Sequence, residues 1–421
     1  MSAHRLAAVD AQFYWMSAKI PNDQFLLYGF DGVPSDVDSA LAVIRERARA
    51  CPELRMRVRD RGVLTYPEWE IGDVEADQFV VHQLDDATWM GCLAAVARLG
   101  DQQLDARVVT WRLHVFVGVD GLPGAGAGTV AVLQAAHVLG DGIRSSALAA
   151  LLFGRAGMVP TVKAPPFPAV ALPWRSYHAA RSHRQLVRDT EAGLVPPQAN
   201  SRPALRSNAR PEGMRTVRTV IRNRAALCRP TVTVGVLAAV STALSEHLRE
   251  LGDDPSMLGA EVPMAKAGVR KAHNHFGNVG VGLYPELEFD ERAARIAEDL
   301  ACRRRRAAHP AMVAASQAFA AVPAPLLRWG VKQFDTTLRS STVTGNTVVS
   351  SVNRGAADLH FGDARVVLTA GYPGLSPMMG VTHGVHGIGD TVAVSVHAAE
   401  SAIGDIDSYV TRLAAALPAE C

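Results

Sequence analysis

Cysteine and lysine are both scarce in this chain. Its five cysteines, at 51, 92, 228, 302 and 421, lie far apart among 421 residues, without a CxxC or any metal-type spacing. A disulfide framework is excluded on that pattern, and a reduced, cytoplasmic protein is expected. Lysine occurs only at 19, 163, 266, 271 and 332, so the basic character is carried by arginine. No charge of one sign prevails: the net charge is +2, which gives no reason to expect nucleic acid as a partner. Long apolar runs are also missing, with none near the roughly 18 residues a membrane span requires. Asp10 stands where a signal peptide would have its apolar core, so no export signal is read there. No GxSxG elbow offers a serine nucleophile, and no cysteine sits in an evident Cys-His pairing.

What is present centres on Thr129 to Phe153, TVAVLQAAHVLGDGIRSSALAALLF. Thr129 to Gln134 has the composition of a strand buried on both faces. Asp141 and Gly142 interrupt the chain. Ile143, Ala147, Leu148, Leu151 and Leu152 then recur at helical spacing behind Asp141 as N-cap. The reading is strand, tight loop, helix. A histidine leaving such a strand, His137, can be held with one ring nitrogen facing a cavity and the other tied to a carbonyl, as a general base must be. Asp141, across the turn, is suited to fixing the loop through an ion pair or helix-end contacts. HxxxDG alone is a weak pattern, and on the pattern by itself a satisfied histidine at a sheet end is the preferred reading.

The length predicts two domains, with residues 1–154 and 216–421 flanking a Pro- and Arg-rich crossover at 155–215 that includes PPFP at 165–168. In the first half, helices are expected over Leu6 to Trp15, Asp36 to Ala50 and Thr88 to Leu99. Strands are expected over Phe25 to Phe30, Arg55 to Arg59, Gly62 to Tyr66 and around Trp111 to Val117. The Gly-rich 121–128 segment reads as a hairpin loop, since no Lys-Ser/Thr pair follows it. In the second half, Thr233 to Leu251 is a helix with Leu237, Val240, Leu244 and Leu248 as its buried stripe. Strands are read at 256–263, 279–284, 347–352, 364–370 and 391–396, and helices over Arg292 to Ala308 and Ile406 to Leu417. The arginine run 303–306 reads first as a solvated helix face; with Leu326, Leu327, Trp329 and Phe334 downstream, an interfacial surface is the alternative. Histidines 273, 275, 383, 386 and 397 match no standard metal spacing.

AAVDAQF at 7–13, LDARVVTW at 104–111, AHVLGDG at 136–142, FGN at 276–278 and SVNRG at 351–355 resemble, in this order, the bacterial wax ester synthase/diacylglycerol acyltransferase family, over nearly the whole chain. The resemblance implies an α/β (α+β) fold of two chloramphenicol-acetyltransferase-like domains, mixed sheet and helices around a central tunnel. It further implies acyl transfer from acyl-CoA to a hydroxylated lipid acceptor, a diacylglycerol or fatty alcohol, without a metal or bound cofactor. His137 matches the second histidine of the family's HHxxxDG, with Ala136 at the first. His137 and Asp141 are then the catalytic positions, and Gly142, Thr233, Asn278 and Asn353 the substrate-binding ones. Thr233 and Val234 occupy the positions of the family's Asn-Asp pair, and Arg354 that of a proline. Attachment to a membrane or lipid-droplet surface is the implied setting. A carrier-bound donor, a natural-product acceptor and a non-catalytic lipid-binding role are the alternatives.

Overall fold

The computed structural model describes residues 4–163 and 169–418; the PPFP run and Cys421 lie outside them. Two six-stranded sheets form its frame. In chain order their strands are β1 (Gln24–Asp31), β2 (Phe79–His82), β3 (Trp111–Asp120), β4 (Ala127–Ala135), β5 (Arg215–Asn223), β6 (Gly259–Ala265), β7 (Phe276–Gly282), β8 (Thr347–Asn353), β9 (His360–Phe361), β10 (Ala364–Gly371), β11 (Val381–Ile388) and β12 (Thr391–Ala399). The longer helices are α1 (Ala8–Ser17), α2 (Val37–Ala50), α3 (Trp89–Leu99), α4 (Gly142–Leu152), α5 (Leu172–Glu191), α6 (Val232–Glu250), α7 (Phe289–Ala307), α8 (Pro310–Phe319), α9 (Ala324–Gln333) and α10 (Ile406–Ala416).

The first sheet runs β9-β10-β1-β4-β3-β2 and the second β7-β6-β8-β11-β12-β5. β4 lies inside the first, antiparallel to β1 and to β3, and its residues from Gly128 to Ala135 are buried. Alternation explains how both faces are used. Ala131, Leu133 and Ala135 join Tyr28 and Trp111 in one core, while Val130 and Val132 join Leu93 and Val96 in another. Each such valine or leucine adds roughly 1.5–3 kcal/mol on burial. The second half has its own core, in which Leu237, Val240, Leu244 and Leu248 of α6 are wholly buried, as their spacing predicts.

β9 and β10 come from the second half yet complete the first sheet, β10 pairing antiparallel with β1, so sheet membership does not follow the division at 216. Arg354 begins this crossing. Its guanidinium is buried, with Nη1 donating to the carbonyls of Ala370 (2.9 Å) and Leu27 (3.3 Å) and to Thr369 Oγ1, and it lies 5.1 Å from the Tyr28 ring centroid. Where a proline was expected to be lost, a cation instead fastens the crossing segment to the first sheet.

Other expectations are corrected. Residues 62–66 do not form a strand; Met56–Arg59 pairs with Glu68–Ile71 in a separate three-stranded sheet. The 155–215 crossover contains the twenty-residue α5, whose Arg175 donates to the Gln317 carbonyl at 3.2 Å from the α8 side. The arginine run is only half free. Arg303 donates to the Pro197 carbonyl and Arg306 to that of Pro196, tying α7 to the chain that follows α5, while Leu327 is buried and unavailable to a surface.

Candidate functional site

β4 ends at Ala135, and the next amide, of Ala136, still donates to the Thr110 carbonyl at 2.9 Å. His137–Leu139 turn once as a 3₁₀ segment. Gly140 follows because Arg144 packs over it: an added Cβ would fall 2.8 Å from Arg144 Cβ. Asp141 then caps α4, its carboxylate accepting from the Arg144 amide at 3.1 Å. Strand, turn and helix are as the sequence predicts.

The His137 imidazole is sandwiched rather than hydrogen-bonded across the site. Its ring stacks on Phe13 of α1, with centroids 4.2 Å apart and planes within 6°, and lies 5.8 Å from Phe276 of β7. The residue keeps partial exposure, and of the two ring nitrogens only Nδ1 is sealed from solvent, with no partner outside its own residue among the described residues. Burial pushes the imidazole pKa below 6.5, against the opposing pull of its own carbonyl, the Asn274 amide and the Asp141 charge. Burial thus favours the neutral ring, the state that accepts a proton.

Asp141 does not touch that ring. Its buried carboxylate takes Arg270 in a two-point ion pair, 2.7 Å from Nη1 and 3.3 Å from Nη2, and accepts from the His275 amide at 2.9 Å. Arg270 and His275 belong to the 266–275 connection between β6 and β7, so the second half grips the histidine loop of the first. The same connection sends Asn274 Nδ2 to the His137 carbonyl (2.9 Å) and joins His273 Nδ1 to that of Leu139 (2.9 Å). Asn274 and His273 are in turn held by buried Asp10, which accepts three N–H bonds of 2.9 to 3.0 Å from them.

Gly142 faces the end of β8, where an added Cβ would come within 3.2 Å of Val352 Cγ2. Beside Val352, Ser351 accepts a 2.9 Å bond from Thr233 in the first turn of α6, and Asn353 is exposed, its side chain accepting from the Gly355 amide. His137, Asp141, Gly142, Thr233 and Asn353 thus border one seam between the halves. Asn278 is exposed on the strand face it shares with Phe276, and bonds Glu261 at 3.3 Å. A cavity of about 230 Å³ also opens between the halves, lined by Asp23, Phe25, Val96, Arg215, Val217 and Tyr372 among others, but His137 is not in its wall.

Sequence reading missed Asp10, Phe13, Arg270, His273 and Asn274 as members of the site, although AAVDAQF and HNHF were both legible. Among the described residues no group of three or more His, Cys, Asp or Glu converges as metal ligands. His383 bonds Thr347 and Tyr409, and His397 bonds the Pro373 carbonyl.

No protein-family model and no curated protein matches the chain. Solved structures do. The wax ester synthase/diacylglycerol acyltransferase from Marinobacter aquaeolei VT8 superposes with a TM-score of 0.64 at 18% identity, covering 98% of each chain. A starter condensation domain mutant of rhizomide synthetase, in complex with C8-CoA and Leu-SNAC, gives 0.58 at 13% identity over 99% of this chain and 96% of that one. The condensation domain of the monacolin K polyketide synthase gives 0.56 at 15%, over 99% and 97%. The chain has the two-lobed fold of these acyltransferases and condensation domains.

Proposed function

We propose that the protein is an acyl-CoA-dependent O-acyltransferase that esterifies a hydroxylated lipid, a diacylglycerol or fatty alcohol, with His137 as general base. The observation that carries this reading is the imidazole set between the two halves, stacked on Phe13 and near Phe276, with one nitrogen sealed and the other not. A thioester is already activated, so no covalent enzyme intermediate is required. The acceptor hydroxyl gives its proton to His137 Nε2 while its oxygen attacks the thioester carbon. The tetrahedral oxyanion then collapses, the carbon–sulfur bond breaks, and the departing CoA thiolate takes the proton back from the imidazolium. Asp141, Arg270, His273 and Asn274 hold the loop and exchange no proton.

Incubation of the purified protein with labelled long-chain acyl-CoA and either acceptor should release one free CoA per ester formed. Absence of any ester with these acceptors, together with bound lipid that never turns over, would identify a lipid-binding protein instead. A strict preference for a carrier-bound over a CoA-bound donor would move the donor class.

We further propose that the chain works at a lipid surface. No single helix among the described residues is long and apolar enough to cross a membrane, but α8 and α9, bent 97° apart, expose Met312, Val313, Leu326, Trp329 and Phe334, with Lys332 beside them. Flotation with phosphatidylglycerol-containing vesicles should recover the wild type. The double variant Trp329→Glu, Phe334→Glu should float several-fold less; equal flotation would place the contact elsewhere.

A further inference from the structure

Asp10 lies 127 residues before His137 in sequence, is 1% exposed, and forms no ion pair among the described residues, yet it is tied to the site from outside the histidine loop. One carboxylate oxygen accepts from the His273 amide at 2.9 Å; the other accepts from the Asn274 amide at 2.9 Å and from Asn274 Nδ2 at 3.0 Å. Asn274 Nδ2 has two hydrogens, and its second bond goes to the His137 carbonyl at 2.9 Å. The His273–Asn274 turn is thus the mould around the loop: it bonds the carbonyls of 137 and 139 and, through the His273 carbonyl, the Asp141 amide at 3.3 Å. Asp10 fixes that mould to α1. Three residues along the same helix, and so on the same face, Phe13 carries the imidazole on its ring.

We propose that Asp10, in its ionised form, is a positioning residue for His137, holding the carbonyl of that residue through Asn274 while Phe13 holds its ring. The inference rests on the reading of His137 as base. The charge matters because hydrogen bonds to a carboxylate are roughly twice as strong as neutral ones, and because a protonated Asp10 gives up acceptor capacity toward the three N–H groups directed at it.

This gives the acid side of the reaction an unusual origin. Burial raises Asp10 to about 6, despite its three N–H bonds and the positive charge of Arg144. Burial also lowers His137 from 6.5, which favours its neutral form. His273 is held well below 6.5 and His275 is lowered by burial and by Arg270; Arg270 is paired with Asp141, and Arg328 of the adjoining α9 with Asp60. The rate therefore falls as Asp10 protonates, near pH 6.

The full-length Asp10→Asn variant tests this, with kcat and KM followed from pH 5 to 8 and the His137 ring followed by NMR, assigned by difference from His137→Gln. The expected result is a fall in kcat of about 10- to 100-fold with KM for acyl-CoA within about twofold, loss of the limb near pH 6, and a shifted His137 resonance. Asn274→Ala should reproduce the fall, and the double variant should be no worse than the stronger single one. A variant that only loses melting temperature while keeping the wild-type limb near pH 6 overturns the proposal, as does an unmoved His137 resonance. Should Asp10→Asn not fold, Asn274→Ala with the same readouts decides. If the wild type transfers no acyl group at all, the reading of His137 as base fails, while the NMR comparison still reports whether Asp10 sets the ring.

Discussion

Replacement of His137 by alanine is expected to lower ester formation by about 10²- to 10⁴-fold, the usual range for removal of a general base. Binding of acyl-CoA should persist, because the donor needs no proton from the imidazole to bind. Stability should change little for a specific reason. The ring makes stacking contacts with Phe13 and Phe276 but no hydrogen bond across the site, and its Nδ1 is buried without an outside partner, so deletion leaves no orphaned protein group behind. The loss should therefore fall on kcat at a nearly constant melting temperature. Release of free CoA, followed continuously with a thiol reagent and checked by product analysis, measures it. Activity within twofold of wild type in the alanine variant would end the general-base reading.

His137→Gln sharpens the comparison. Glutamine fills part of the slot against Phe13 without being able to accept a proton at neutral pH, so its rate should match alanine rather than lie midway. A rescued glutamine variant would mean that the residue orients substrate by hydrogen bonding and that another group takes the proton.

The elements around His137 were readable because their signals are local. β4 is a run of β-branched and small apolar residues, and Asp141 is a helix cap three residues from the amide it accepts. The stripe of α6 follows from spacing alone. What could not be read is what arrives from far along the chain. Residues 266–275 are polar and without periodicity, so nothing in them announces that Arg270, His273 and Asn274 close over a loop more than a hundred residues earlier. Asp10 looks like any acid in the first turn of a helix, favourable there by dipole alone; its burial depends on that distant segment. α5 was passed over because it is rich in arginine and histidine and buries only Leu186. β11 was missed for the opposite reason: all eight of its residues are buried, so VTHGVHGI has no polar face to set a period, and its glycines and histidines imitate a loop. Arg354 reads as a lost proline in sequence and as a fastening in the fold.

Asp141 should be the most costly residue of the site to remove for stability, and the asymmetry with its partner is the informative part. In Asp141→Ala, Arg270, whose side chain is 11% exposed, loses its only carboxylate among the described residues. Breaking a buried pair by deleting one member generally costs about 3–5 kcal/mol, because the remaining charge stays desolvated. The same substitution removes the cap of α4, which generally contributes about 0.5–2 kcal/mol, and leaves the His275 amide without its acceptor. Arg270→Ala is milder: Asp141 still accepts from the Arg144 and His275 amides, so its charge keeps two donors. Urea midpoints should therefore rank wild type above Arg270→Ala above Asp141→Ala. The double variant should recover part of the loss, since neither charge is then left buried alone. Both single variants should lower kcat as well, because the 137–141 loop loses its anchor to the second half, whereas His137→Ala should lower kcat without moving the midpoint. That separation distinguishes a group that positions from one that reacts. An Asp141→Ala protein within about 1 kcal/mol of wild type, against the several kcal/mol expected for a broken buried pair, would show that Arg270 finds water or another acceptor on its own, and that the grip between the halves lies in the backbone bonds of His273 and Asn274.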